Sequence, residues 1–152
     1  MNTIVISDTS CLIALDRINK LDILHRLFPF IITTHDVQNE FKKTLPDWIH
    51  LKAVKDIVKL NELKHMVDLD EASVIALALE TSSSVLIIDV KKGRQVARNL
   101  HIPIIGTLGI ILLAKQKGII PLIKPIVEEL EFNKFRFSKS LITETLIQGG
   151  EI

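Results

Sequence analysis

The chain has 152 residues, of which 47% are hydrophobic and 24% charged, a composition that suits one domain with a real core. Its net charge of +1 excludes attraction of nucleic acid by overall charge, so such binding would need a local basic patch. The single cysteine, Cys11, excludes an intramolecular disulfide. Because no signal-peptide pattern and no apolar run of ~20 residues are visible, we expect a cytoplasmic protein.

Apolar runs and helical patterns alternate along the first half of the chain. The β-branched residues 4–6 predict a buried strand that leads into a helix near Asp8. The helical pattern that follows breaks near Asn19. A second strand is predicted over residues 30–33 and a helix over residues 36–43. Residues 45–69 have a weaker pattern and are expected to form short helices that make a clip or flap.

The second half continues the alternation. Residues 71–80 predict a helix, since Ala72, Ile75, Ala76 and Leu79 fall at helical spacing. A strand over 85–88, a basic helix over 91–100, a short strand over 102–105 and a helix from residue 106 to 117 follow. C-terminal helices are expected within residues 121–152. We therefore expect a single domain over residues 1–152, of the α/β class, with about four or five parallel strands flanked by helices in three layers.

Four carboxylates lie beside these apolar runs: Asp8, Glu40, Glu71 and Asp89. In an open α/β fold, the carboxyl ends of the strands share one edge, where ligands bind. Acids from distant parts of the chain are expected to meet there. A carboxylate cluster of this kind suits a hard divalent cation such as Mg²⁺ or Mn²⁺. The pattern therefore favours metal-dependent phosphodiester chemistry.

Each acid also has a structural explanation. Asp8 can be the N-cap of a helix. Asp68 and Glu71 have the spacing of a capping box. Asp89 can cap the helix from residue 91, and Glu40 can be a solvated helical glutamate. Other chemistries are disfavoured, because the histidines form no i, i+4 pair and the chain has no glycine-rich phosphate loop.

Taken together, these residues resemble the PIN domains, a family of metal-dependent ribonucleases that includes the VapC-type toxins. The resemblance covers residues 4–148, and its motifs are Ile6-Ser7-Asp8-Thr9-Ser10, Val37-Gln38-Asn39-Glu40, Glu71-Ala72 with Ile75-Ala76, Leu86-Ile87-Ile88-Asp89, Gly93-Arg94 and Gly106-Thr107-Leu108-Gly109.

The resemblance implies specific roles for residues of this chain. Asp8, Glu40, Glu71 and Asp89 would hold Mg²⁺ or Mn²⁺, and Ser10 and Thr107 would be helpers through their hydroxyl groups. Both hydroxyl residues can equally be helix caps.

The chain departs from the family pattern at three positions. Cys11, Asp70 and Val90 stand where Pro, Gly and a second acid are usual. The change at Val90 puts a second metal position in doubt. Asp70 can replace it only if its side chain, which we expect to point elsewhere on the helix, reaches the site.

A nuclease also needs phosphate contacts, and a short basic segment follows Asp89. Its candidates for RNA binding are Lys91, Lys92, Arg94 and Arg98. A solvated basic face explains the same residues. The resemblance further implies a small antitoxin partner, and the apolar residues 21–30 and 141–147 are candidates for that contact or for a homodimer.

Two other functions fit parts of the pattern. The first is a non-catalytic PIN-like RNA-binding or scaffold protein, which Val90 supports. The second is a phosphoacceptor domain of the response-regulator type. It is disfavoured because such domains carry two adjacent acids after the first strand, whereas Asp8 stands alone.

Overall fold

A computed structural model describes residues 3–152 of the chain. These residues form two compact units. The first contains the described residues up to 13 together with residues 30–105, and the second contains residues 14–29 and 106–152. The expectation of one domain over residues 1–152 remains a prediction.

A five-stranded parallel sheet occupies the first unit. Its strands are β1 (Ile4–Ser7), β2 (Ile31–Thr33), β3 (Ile49–Leu51), β4 (Ser84–Ile87) and β5 (Ile104–Ile105). They lie in the order β3-β2-β1-β4-β5, and every neighbouring pair is parallel. Because β1 and β4 are covered on both sides, each contains three consecutive apolar residues, with a buried serine at one end. The predicted α/β class with a parallel sheet is confirmed.

Strand β3 lies in a region where the sequence pattern predicts short helices, and that prediction is wrong for residues 49–51. It has only three residues, and His50 is exposed between buried Ile49 and half-buried Leu51. Its pairing with β2 defines it, and the amide of Lys52 extends that pairing by donating to the carbonyl of Thr33 at 2.9 Å. So short a segment carries too little pattern to be recognised without its neighbour.

The described helices match the remaining sequence pattern closely. They are α1 (Thr9–Arg17), α2 (Asp22–Leu27), α3 (His35–Phe41), α4 (Ile57–Leu63), α5 (Leu69–Leu79), α6 (Lys91–Asn99), α7 (Thr107–Gln116), α8 (Lys124–Phe132) and α9 (Lys139–Gln148). The predicted break near Asn19 is confirmed, since Asn19 has a φ of 58° between α1 and α2. None of these helices is long and apolar enough to cross a membrane.

Helix α5 is the central helix of the first unit. It packs against β1 and β4 and also contacts α3, α4 and α6. Every residue from Glu71 to Ala78 is buried. Because the middle of α5 is buried, a ligand can approach the helix only near its ends. The first turn of α5 carries Asp70 and Glu71.

The strand order also fixes where a ligand is expected. From β1 the chain proceeds to β2 and β3 on one side, and β4 and β5 then lie on the other side. The sheet therefore has its switch point between β1 and β4, whose ends align with Ser7 opposite Ile87. Crevices at the carboxyl ends of such strands are the usual ligand sites of open α/β sheets.

The second unit is helical and is closed by its C-terminal residues. Helix α7 contacts α2 and α9. The carboxylate of Glu151 accepts hydrogen bonds from the amide of Ile123 at 2.6 Å, the amide of Lys124 at 3.0 Å and the Lys115 ammonium at 2.9 Å. Burial raises the pKa of Glu151, but these hydrogen bonds outweigh it, so the pKa is lowered. Glu151 thus satisfies amides at the start of α8.

Candidate active site

Asp8 follows β1 at the switch point and is almost fully buried, with 1% of its surface exposed. Its Oδ1 accepts a hydrogen bond from the amide of Cys11 at 3.0 Å, and its Oδ2 accepts one from the amide of Asp89 at 3.1 Å. The bond from Cys11 caps α1, as one of the structural explanations predicts. The bond from Asp89 does more, because it ties the residue after β1 to the second residue beyond β4.

The environment of Asp8 opposes its ionisation. Burial and the charge of Asp89 raise the pKa of Asp8 well above its usual range, against the two amide bonds that lower it. Asp89 itself is half-buried just beyond β4. The N-cap position of α6 belongs to Val90, whose side chain cannot cap the helix, so Asp89 lies one residue before that position.

Three further acids lie together at the start of α5. Ligand oxygens of Asp68, Asp70 and Glu71 are all within 4.8 Å of one another. The capping explanation is wrong here, because the Asp68 side chain, at the N-cap position, makes no capping bond. Burial, followed by the charges of Asp70 and Asp68, raises the pKa of Glu71 from 4.5 to about 7.

Asp70 joins these acids to Asp8. Its Oδ2 accepts a hydrogen bond of 2.8 Å from the hydroxyl of buried Thr9, and its charge adds to the rise in the pKa of Asp8. The expectation that its side chain points elsewhere on the helix was therefore wrong. In the first helical turn, neighbouring side chains can both reach past the helix end, which the helical period alone does not reveal. We refer to Asp8, Asp68, Asp70, Glu71 and Asp89 as the acidic cluster.

Glu40, the remaining predicted ligand, is exposed on α3. Among the described residues, the close group of acids at the start of α5 does not include it. It lines a cavity of about 280 Å³ together with Asp36, Asp68 and Asp70. Its role as a metal ligand remains a prediction.

Gly93 provides the space that Glu71 needs beside α6. A Cβ atom at this position would lie 2.7 Å from Cδ1 of Ile88 and 3.1 Å from Oε1 of Glu71. Both distances are shorter than an ordinary van der Waals contact. The glycine therefore allows α6 to approach the carboxylate closely, which gives a physical reason for the Gly93-Arg94 motif.

The basic residues that follow Asp89 differ in their environment. Lys91, Lys92 and Arg98 are exposed, whereas Arg94 is half-buried and its Nη1 donates to the carbonyl of Ile88 at 2.7 Å. Burial and the charge of Arg98 lower the pKa of Arg94, while Asp89 and Asp8 act in the opposite direction. Arg94 therefore anchors the segment that carries Asp89, and its predicted contact with RNA remains a prediction.

Neither predicted hydroxyl helper is a helix cap. Ser10 is half-buried within α1, where the capping carboxylate is that of Asp8. Thr107 is buried at the start of α7 in the second unit, and the N-cap position there belongs to Gly106. The alternative role of both residues as caps was wrong, and their role as helpers remains a prediction.

The acidic cluster has the properties that a divalent cation requires. Glu71 is 7% exposed, and within residues 3–152 no group donates a hydrogen bond to its carboxylate. A buried carboxylate beside like charges is costly unless a cation neutralises it. Mg²⁺ and Mn²⁺ prefer carboxylate oxygens, so the residues present fit such an ion.

The fold and the acidic cluster thus define an α/β protein with a candidate metal centre at the switch point of a parallel sheet. A family model described as the PIN domain matches residues 4–151, and the chain belongs to this family. PIN domains are commonly nucleases and typically use a divalent metal. No curated protein and no solved structure matches the chain.

Proposed function

We propose that this protein is a divalent-metal-dependent ribonuclease that hydrolyses phosphodiester bonds of RNA. The observation that carries the proposal is buried Glu71, which lies beside Asp68 and Asp70 in the acidic cluster and accepts no hydrogen bond from the described residues. The position of Asp8 and Asp89 at the switch point supports the same conclusion, because substrates of open α/β proteins bind there.

Asp8, Glu40, Glu71 and Asp89 would hold Mg²⁺ or Mn²⁺. Asp70 takes the role of the acid that usually stands at the position of Val90. Its carboxylate lies close to that of Glu71, and its charge raises the pKa of Asp8. The bound metal would supply an activated water and stabilise the charge that develops on the leaving oxygen.

The protein's own contribution is to hold the carboxylates in place before substrate arrives. Both oxygens of Asp8 are fixed by backbone amides, and one oxygen of Asp70 is fixed by Thr9. Residues held in this way need no reorganisation during the reaction. The exposed Lys91, Lys92 and Arg98 would neutralise phosphates of the bound RNA strand.

The test is calorimetric titration of Mn²⁺ into the wild-type protein, Asp8→Asn and Asp89→Asn, with an RNA cleavage assay on the same samples. Asparagine at position 8 preserves the capping bond from the amide of Cys11 and loses only the bond from the amide of Asp89, so both variants are expected to fold. Glu128→Gln, on the exposed side of α8, is the control. Binding and cleavage should be lost together in both variants and retained in the control. Cleavage that persists in EDTA would contradict the proposal.

A second candidate function is non-catalytic binding of RNA, as in a PIN-like scaffold protein. Val90 favours it, because this exposed residue stands where the PIN subgroup usually has an acid. This function predicts RNA binding without any metal-dependent cleavage, and little effect of Asp8→Asn on that binding. The assays above distinguish the two functions.

The proposed ribonuclease would act as the toxin of a toxin–antitoxin pair. Leu141 and Ile147, each about half exposed, support an apolar contact on α9 with a small antitoxin or a second copy of the chain. A pull-down from native cells should recover a small partner, and light scattering of the purified protein should report a dimer if the second copy is the occupant. A monomer that recovers no partner would contradict both.

A further inference from the structure

A cavity of about 320 Å³ lies directly beside Glu71. One part of its wall comes from the segment after α4, with Lys64 and Met66, and another from the start of α6, with Val90 and Lys92. We call it the Val90 pocket. Its volume lies at the low end of the range of roughly 300–1,000 Å³ for small-molecule sites. That is room for a single nucleotide and not for a duplex.

The wall of the Val90 pocket combines two kinds of surface. Met66 and Val90 are large apolar residues with 44% and 40% of their surface exposed. Lys64 and Lys92 are exposed cations that line the same space. A flat base suits the apolar part, particularly because methionine adapts its shape to the partner. The lysines suit the flanking phosphates of the same strand.

Val90 itself determines which ligand the pocket accepts. With an acid at this position, the pocket would add a third carboxylate to those of Asp68 and Glu71. Phosphate would then be repelled from the wall formed by α6. Valine leaves that wall neutral beside Lys92, while exposed Asp68 remains available to accept a hydrogen bond from a sugar hydroxyl.

We infer that the Val90 pocket binds one nucleotide of single-stranded RNA next to the phosphodiester bond that is cut. Its base rests against Met66 and Val90, and its phosphates pair with Lys64 and Lys92. This inference rests on the proposed function, because it assigns a position to the substrate of the same acidic cluster.

The test measures RNA binding apart from cleavage. Fluorescence anisotropy of a labelled single-stranded RNA octamer is recorded in EDTA, which prevents metal-dependent cleavage. Lys92→Ala and Lys64→Ala should each weaken binding roughly fivefold, as expected for an exposed ionic contact. The control is Lys55→Ala. The backbone of Lys55 is bonded to Glu80 at the far end of α5, away from the pocket.

Val90 provides a second and independent arm. Val90→Asp should weaken binding of the octamer at least fivefold, whereas Val90→Ile should retain it. Circular dichroism and binding of Mn²⁺ are measured for each variant. Val90→Asp must bind Mn²⁺ at least as tightly as the wild type. This control distinguishes a specific loss of RNA binding from unfolding of the variant.

Each outcome decides the inference. Equal losses in Lys92→Ala and Lys55→Ala, retention of binding by Val90→Asp, or no binding by the wild type would each overturn it. None of these results bears on metal-dependent cleavage by the wild type. Conversely, absence of cleavage would refute the proposed ribonuclease activity, whereas the measured binding of RNA to the Val90 pocket would not change.

Discussion

Replacement of Glu71 by Gln should stabilise the metal-free protein while abolishing its response to metal. Burial and the neighbouring acids raise the pKa of Glu71 from 4.5 to about 7, so the folded state binds its proton more tightly than the unfolded state does. Between these two pH values, wild-type stability therefore falls as the pH rises. Above about pH 7 the carboxylate is ionised in the folded state, and burial of its charge lowers the free energy of unfolding by its full amount.

The size of this effect follows from the shift in pKa. A shift from 4.5 to about 7 corresponds to about 3 kcal/mol for a fully shielded group. Glu71 lines the Val90 pocket, so solvent screens part of that energy and we expect about 1–2 kcal/mol at pH 8. For a chain of this length, the melting temperature of Glu71→Gln should rise by roughly 2–8 °C. At pH 4 both proteins carry a neutral side chain and should melt together.

The assay is thermal unfolding by circular dichroism at pH 4, 6 and 8, with and without Mn²⁺. The wild type should be stabilised by Mn²⁺ at pH 8, because a ligand that binds only the folded state raises its stability. Glu71→Gln should lose that response, whereas the control Glu128→Gln should keep it. A melting temperature of Glu71→Gln that equals the wild type at pH 8 in EDTA would refute the reasoning about the cost of the buried carboxylate.

Three further predictions concern the surroundings of the acidic cluster and the second unit. Gly93→Ala brings a Cβ to 3.1 Å from Oε1 of Glu71 and should weaken Mn²⁺ binding by roughly tenfold or more, as measured by calorimetry. An unchanged affinity for Mn²⁺ would contradict the tight approach of α6 to Glu71. Arg94→Ala removes the bond to the carbonyl of Ile88 and should destabilise the fold by about 1–2 kcal/mol in urea, whereas Arg98→Ala should leave the urea midpoint unchanged. Glu151→Gln should lower stability by about 1 kcal/mol at pH 7, as for loss of a helix cap. Because the pKa of Glu151 is lowered in the folded state, that contribution is present above its ordinary pKa and disappears as the pH falls through the lowered value, so the two proteins should converge in acid.

The sequence by itself determined most of the secondary structure and the fold class. The apolar runs before Asp8 and Asp89 identify β1 and β4, because strands covered on both faces must be apolar throughout. Helix α5 is equally clear, since its apolar residues repeat at the helical period. These are local patterns, and each depends only on residues that are consecutive in the chain.

The sequence predicted that Asp8 and Asp89 would meet, but not that Asp70 would lie beside them. Asp8 and Asp89 follow strands, so their meeting at the sheet edge could be predicted from topology rules, and the bond from the amide of Asp89 to Asp8 agrees with it. The direction of the Asp70 side chain cannot be predicted from the sequence, because its place beside Thr9 depends on how the starts of α1 and α5 approach each other. No spacing along the chain encodes that distance.

Tertiary structure alone decided three further features. The pairing of β2 with β3 turned a short segment of weak pattern into an edge strand. The packing of α6 against α5 made Gly93 necessary, and the start of α6 forms one wall of the Val90 pocket. The burial of Glu71 among like charges set its pKa. The strand pairing, the approach of α6 to α5 and the burial of Glu71 all depend on residues far apart in the chain, whereas the like charges of Asp68 and Asp70 are close to Glu71 in sequence. A local pattern carries no information about the distant neighbour that the fold supplies.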